Sequence, residues 1–168
     1  MTHCSRSYCG RKYVKSRLTI FLLIGLYSFC AHSQGCIDDI SPEGTLRAIQ
    51  LFRENPVGDY ADCALSVAGN FAEQSPSVLV ELRPIYFPWE LGEIDADAEV
   101  KFLGAFVAGN IEYQLTNNVK ENRPIEGVRL ELLTYEMMRE IGAIETLEGF
   151  EDWLELERNG QLGIQFKD

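Results

Sequence analysis

Asp95-Ala-Asp-Ala-Glu-Val-Lys-Phe-Leu-Gly-Ala-Phe-Val-Ala-Gly-Asn-Ile-Glu-Tyr-Gln-Leu-Thr116 runs without a proline for about six helical turns. Phe102, Leu103, Ala105, Phe106, Val107, Ala108 and Ile111 set apolar groups on nearly every side of such a helix, so its neighbours must enclose it. Asn117-Asn118 ends it. A long helix that is apolar all round needs other helices as its wrapping, and the flanking sequence supplies them.

Ser41-Pro42-Glu43 places an N-cap before a proline at the first helical position, and Asn55-Pro56 stops that segment. Asp59 reads as the cap of the next run, in which Tyr60, Cys63, Ala64, Val67, Ala68 and Phe71 share one face as far as Ser75-Pro76. Val78-Leu79-Val80 is too short to assign and leaves room for a minor strand pair. Beyond the central helix, Pro124 opens a helix to about Arg139 with Val128, Leu132, Tyr135 and Met138 inward. A last helix begins after Thr146 and stops at Asn159-Gly160, a pair suited to a left-handed cap. The alternating tail Leu162-Gly-Ile164-Gln-Phe166 suits a segment docked in extended form. The expectation is an all-α, compact bundle of about five helices.

Within it lies a duplication. Val67-Ala68-Gly69-Asn70 recurs as Val107-Ala108-Gly109-Asn110, Gln74 as Gln114, and Glu81-x-Arg83-Pro84-Ile85 as Glu121-x-Arg123-Pro124-Ile125, all at an offset of 40. That offset is HEAT-like, in the range of helix-pair solenoids, but such arrays need about three units. A further step of 40 reaches Leu147-Glu148-Gly149-Phe150, which does not match. The reading is a duplicated helix–turn–helix inside one bundle, with a solenoid fragment second. Gly69 and Gly109 each cost about 1 kcal/mol against alanine in mid-helix. They are expected where helices cross closely, against one another.

The first 33 residues differ from all the rest. They hold both histidines and five of the 15 basic residues, and none of the 26 acids. A basic segment ending at Arg17, an apolar run from Leu18 to Ala31 and the small-x-small Ala31-His32-Ser33 have the form of a secretory signal cleaved between Ser33 and Gln34. The apolar run is short for a membrane span, which needs about 20 residues. Residues 34–168 then form a single acidic helical domain, periplasmic or secreted, with ten basic residues against 26 acids and no membrane attachment after cleavage. Cys36 and Cys63 are its two cysteines. In an oxidising compartment they pair most simply with each other, stabilising the fold by about 3–4 kcal/mol.

Without histidine, the domain lacks Ser-His and Cys-His nucleophiles and imidazole metal ligands. No phosphate-cradling loop or dinucleotide fingerprint occurs, so no cofactor or metal is expected. The acid cluster Glu93-x-Asp95-x-Asp97-x-Glu99 fails the calcium-loop pattern, with Val100 in place of glycine and Phe106 in place of glutamate. It reads instead as the charged start of a helix. Tyr86-Phe87-Pro88-Trp89 reads as a core plug or, in its functional reading, as a recognition patch of Tyr86, Phe87 and Trp89. The Glu145–Glu157 acids read as a solvated face.

The net charge repels nucleic acid and suits a basic protein partner. The expected role is non-enzymatic: an exported, binding or inhibitor-like module that works through protein contact. The alternatives are a carboxylate-dependent hydrolase of cell-wall sugar or peptide, and a structural helper in an envelope assembly. In general type the chain is similar to the small acidic immunity and inhibitor proteins of the periplasm, a likeness that assigns no residue a role.

Overall fold

The computed structural model describes residues 39–89 and 94–166. In these the chain forms α1 (Pro42–Glu54), α2 (Ala61–Gln74), α3 (Ala96–Asn117), α4 (Pro124–Glu140) and α5 (Glu148–Arg158), with single 3₁₀ turns at Pro84–Tyr86 and Leu162–Ile164. It is an all-α bundle. Among the described residues there is no strand, so Val78-Leu79-Val80 joins no sheet. The tail also departs from its expected extended form. Leu162 is fully buried, and the amides of Ile164 and Gln165 bond back to the carbonyls of Gln161 and Leu162, which closes a turn.

Local chemistry explains most helix ends. The Ser41 hydroxyl accepts from the Gly44 amide at 3.1 Å, with Pro42 at the first helical position. Asp95 accepts from the Ala98 amide at 2.9 Å, which consumes part of the acid cluster as a helix cap. Asn118 adopts φ 51° at the end of α3, and Gly160 adopts φ 67° after α5. The expected Asp59 cap is absent: Tyr60 precedes α2, and no side chain caps that end. The preceding turn substitutes for it, since the Gly58 carbonyl accepts from the Ala61 amide at 2.9 Å.

Packing derives from the all-round apolarity of α3. Its Ala105, Ala108 and Ile111 join Ala48, Ile49 and Phe52 of α1, Val67, Ala68 and Phe71 of α2, and Val78. Its Ala98, Phe102 and Phe106 join Val128, Leu132 and Tyr135 of α4, Phe150 and Leu154 of α5, and Leu162. Both groups have left water, and burial of each large side chain stabilises the fold by about 1.5–3 kcal/mol. Rings dominate the second group. Tyr135 stacks on Phe150 with centroids 4.5 Å apart, and Phe102 meets Phe150 at 4.7 Å.

The principal helix pair, α3 and α4, meets backbone to backbone. A Cβ on Gly109 would lie 2.4 Å from the Glu126 carbonyl oxygen, and one on Gly127 would lie 2.6 Å from that of Phe106. The close crossing is therefore Gly109 with Gly127, not Gly109 with Gly69. Around Gly69 a Cβ would meet nothing within 4 Å. The described residues gather into one compact unit.

Candidate contact groove

The two halves of the duplication begin alike and then diverge. Arg83 and Arg123 precede their prolines with nearly equal φ, −126° and −125°, and each pairs with the glutamate two residues before it at 2.8 Å. Pro124 leads into the 17 residues of α4, but Pro84 leads into only three residues of 3₁₀ turn. Pro88 stands where the second copy has Val128. A proline disfavours helical backbone at the residue before it, and Phe87 is accordingly extended at φ −123°, ψ 117°. Thus α4 covers Phe106 and Gly109 of α3, whereas the matching Ser66 and Gly69 of α2 line an open groove.

That groove runs between α2 and α3. Leu65, Ser66 and Gly69 form one wall, and Leu103, Gly104 and Val107 form the other, with Leu82 and Val100 at its edges. Around Leu82 and Leu103 it continues to Pro84, Phe87 and Trp89. The two stretches hold ≈ 350 and ≈ 360 Å³. Leu82 and Val100, which line it, are 52 and 68 % exposed, which leaves apolar surface in water at the expense of solvation. Gly104 sets the groove's depth. A Cβ there would lie 2.8 Å from the end of Leu65, so glycine lets that side chain settle against α3.

A buried amide network fixes the wall carrying Leu79 and Leu82. Gln114 accepts from the Leu79 amide at 2.9 Å and donates to the Leu79 carbonyl at 2.8 Å. Its Nε2 also donates to Asn110 Oδ1 at 2.7 Å. Asn110 donates to Asn122 at 2.7 Å and accepts from the Arg123 amide at 3.1 Å, while Asn122 accepts from the Glu81 amide at 3.1 Å. The linker of the first copy is thus held by the helix of the second. Asn70 and Gln74, which match Asn110 and Gln114 in sequence, are exposed.

The aromatic cluster divides between core and groove. Tyr86 is buried and stacks on Phe106 at 5.5 Å. Trp89 lies parallel to Phe150 at 5.5 Å, and Phe87 meets Phe106 edge-on at 5.4 Å. Phe87 and Trp89, both half-buried, present their remaining surface at the far end of the groove. Cys63 is half-buried on α2. Cys36, Ser33 and Gln34 lie outside the described residues, as does Glu93.

Among the described residues no three His, Cys, Asp or Glu side chains group as metal ligands. Asp95 and Glu145 share a shallow depression, but Asp95 is engaged in capping α3. Two acids on α5 are structural: Glu157 pairs with Arg129 at 2.7 Å, and Glu151 pairs with Arg139. Glu151 also accepts from the Tyr135 hydroxyl at 2.7 Å, and that bond, with the Arg139 charge, holds its carboxyl below the usual range. Glu131, by contrast, is fully buried in α4 with neither carboxyl oxygen hydrogen-bonded, and burial pushes its pKa well up. Sequence reasoning missed Glu131, Gly127 and the groove itself. The groove had one signal in the sequence: Pro88 falls in one copy of the duplication where the other has valine.

Among the described residues, no helix is long and apolar enough to cross a membrane. Comparison of the chain with protein-family models, with curated proteins and with solved structures finds no match.

Proposed function

We propose that this chain is an exported, non-enzymatic helical protein that works through contact with another protein, and that the groove between α2 and α3 is its contact face. The observation that carries the reading is the exposed apolar surface of Leu82 and Val100 in a preformed groove. Such surface costs solvation free energy in an isolated protein and recovers it when a partner covers it. In this reading residues 1–33 are a signal removed between Ser33 and Gln34, the domain is periplasmic or secreted, and Cys36 bridges Cys63. The bridge would tie the segment ahead of α1 to α2. The partner is a protein of basic character, drawn by the acidic surface.

The test is capture from envelope extract with the chain starting at Gln34, side by side with its Leu82→Asp variant. A protein retained by the first and lost from the second supports the reading. Equal retention by both, or retention of nothing at low salt, rejects it. Mass spectrometry of the exported chain checks processing: a first residue far from Gln34, or two free thiols at Cys36 and Cys63, removes that part of the proposal.

A further inference from the structure

We infer that the groove is a seat for one amphipathic, cationic helix of a partner, crossing α2 at Gly69 in the way that α4 crosses α3 at Gly109. The inference rests on the contact reading above and goes beyond it by naming the shape and charge of the occupant. The molecule itself shows what fits. Phe106 and Gly109 receive the first turn of α4, with the Glu126 carbonyl against Gly109 and the Leu130 side chain beside it. Their counterparts Ser66 and Gly69 line the groove, and space is open over Gly69. The element that would have filled it stops after one turn at Pro84–Tyr86. Val107 and Leu103 offer the apolar floor that a helix of leucine-like residues needs.

Charge selects the flanks of that helix. Asp62 lies two turns before Gly69 on the same face of α2, and Glu73 lies one turn after it. Glu99 lines the far end of the groove, and Glu81 lies on the linker wall. The bases nearby are Lys101, bonded to Asp62 at 2.9 Å, and Arg83, bonded to Glu81 at 2.8 Å. Acids therefore outnumber bases around the rim, so lysine or arginine on the flanks of the incoming helix is favoured. A second copy of this chain would bring the same acidic rim and is repelled.

The inference is testable with a defined probe: a synthetic helix of about 20 residues with leucines at i, i+3, i+4 and i+7 and lysines on its flanks. Its controls are a scrambled peptide of the same composition and a version with two central prolines. The expected result at physiological salt is binding of the helical peptide at least tenfold tighter than either control, with amide shifts centred on Gly69 and Gly104. Gly69→Leu should weaken binding at least tenfold with little loss of thermal stability, because a Cβ there meets nothing within 4 Å and the rest of the side chain points into the space of the groove. Glu73→Lys should weaken it further. If Leu82→Asp abolishes binding but Gly69→Leu does not, the helix seat is wrong and the contact face survives. If neither variant changes binding, both fail. Equal binding of the proline peptide means an extended occupant and overturns the inference, as does self-association of the chain that Gly69→Leu abolishes.

Discussion

Residues 67–85 and 107–125 share nine identities, yet their glycines and amides stand in opposite surroundings. Two apolar pairs behave alike: Ala68 and Ala108 are fully buried, and the paired Phe71 and Ile111 are buried too. The polar and glycine positions do not. Asn110 and Gln114 are buried and hold the linker at Leu79, whereas Asn70 and Gln74 face water. Gly109 touches the backbone of α4, whereas a Cβ at Gly69 would touch nothing. The difference traces to the residues just beyond each Arg-Pro-Ile. Val128 lets the second helix propagate and cover α3, while Pro88 ends the first after one turn. Identical residues thus acquire opposite roles through one downstream proline.

The comparison breaks most sharply at the glycines. Gly109→Leu should destabilise the fold by about 3 kcal/mol or more, since its side chain enters the Glu126 carbonyl and cannot relax without moving α4. Urea unfolding measures this, and a cost under about 1 kcal/mol would mean that the α3–α4 crossing is looser than these distances imply. Next comes the amide clamp. Gln114→Ala should cost about 2–3 kcal/mol by removing the partner of both the Leu79 amide and the Leu79 carbonyl, whereas exposed Gln74→Ala should lie within about 0.5 kcal/mol of zero. Equal costs would erase the distinction between the copies.

Glu131 sharpens the contrast in another way, because it belongs to the helix that the first copy lacks. Its folded-state pKa is raised by burial, so the carboxyl stays protonated in the fold while the unfolded chain ionises. Its stabilising contribution is therefore full below the unfolded value near 4.5 and is lost as pH rises from there toward the folded value. Glu131→Gln should gain stability over the parent progressively as pH rises above about 4.5. Chemical denaturation at a series of pH values tests the slope, and a pH-independent difference would show that the carboxyl does not titrate with unfolding. Glu151 works in the opposite sense. Its pKa is lowered, chiefly by the Tyr135 hydrogen bond, so its contribution is present at neutral pH and fades as pH falls below the unfolded range. A small gain is expected at Gly69→Ala, about 0.5–1 kcal/mol from helix propensity with no clash at the added Cβ, read from the same urea unfolding curves.

The helices were legible because periodicity and caps are local properties. Ser41-Pro42, Asp95, Pro124 and Asn159-Gly160 mark ends that the structure places within a residue or two. Asp59 misled because a turn carbonyl supplied what a side-chain cap would have supplied. The tail misled because alternation over five residues fits a short turn as well as a strand once one residue, Leu162, is fully buried. Within the site, Phe87 and Trp89 were visible as aromatics, but their division between core and groove depends on where Phe102, Phe106 and Phe150 stand.

By itself the sequence determined the helical class, the internal duplication and the absence of histidine after residue 33, since all three are written in residue identity and spacing. Only the tertiary structure decided which glycine is a crossing and which is an open seat. A glycine has the same propensity at both places. Its surroundings are set by elements distant along the chain: α4 has arrived over Gly109, and nothing lies within 4 Å of a Cβ at Gly69.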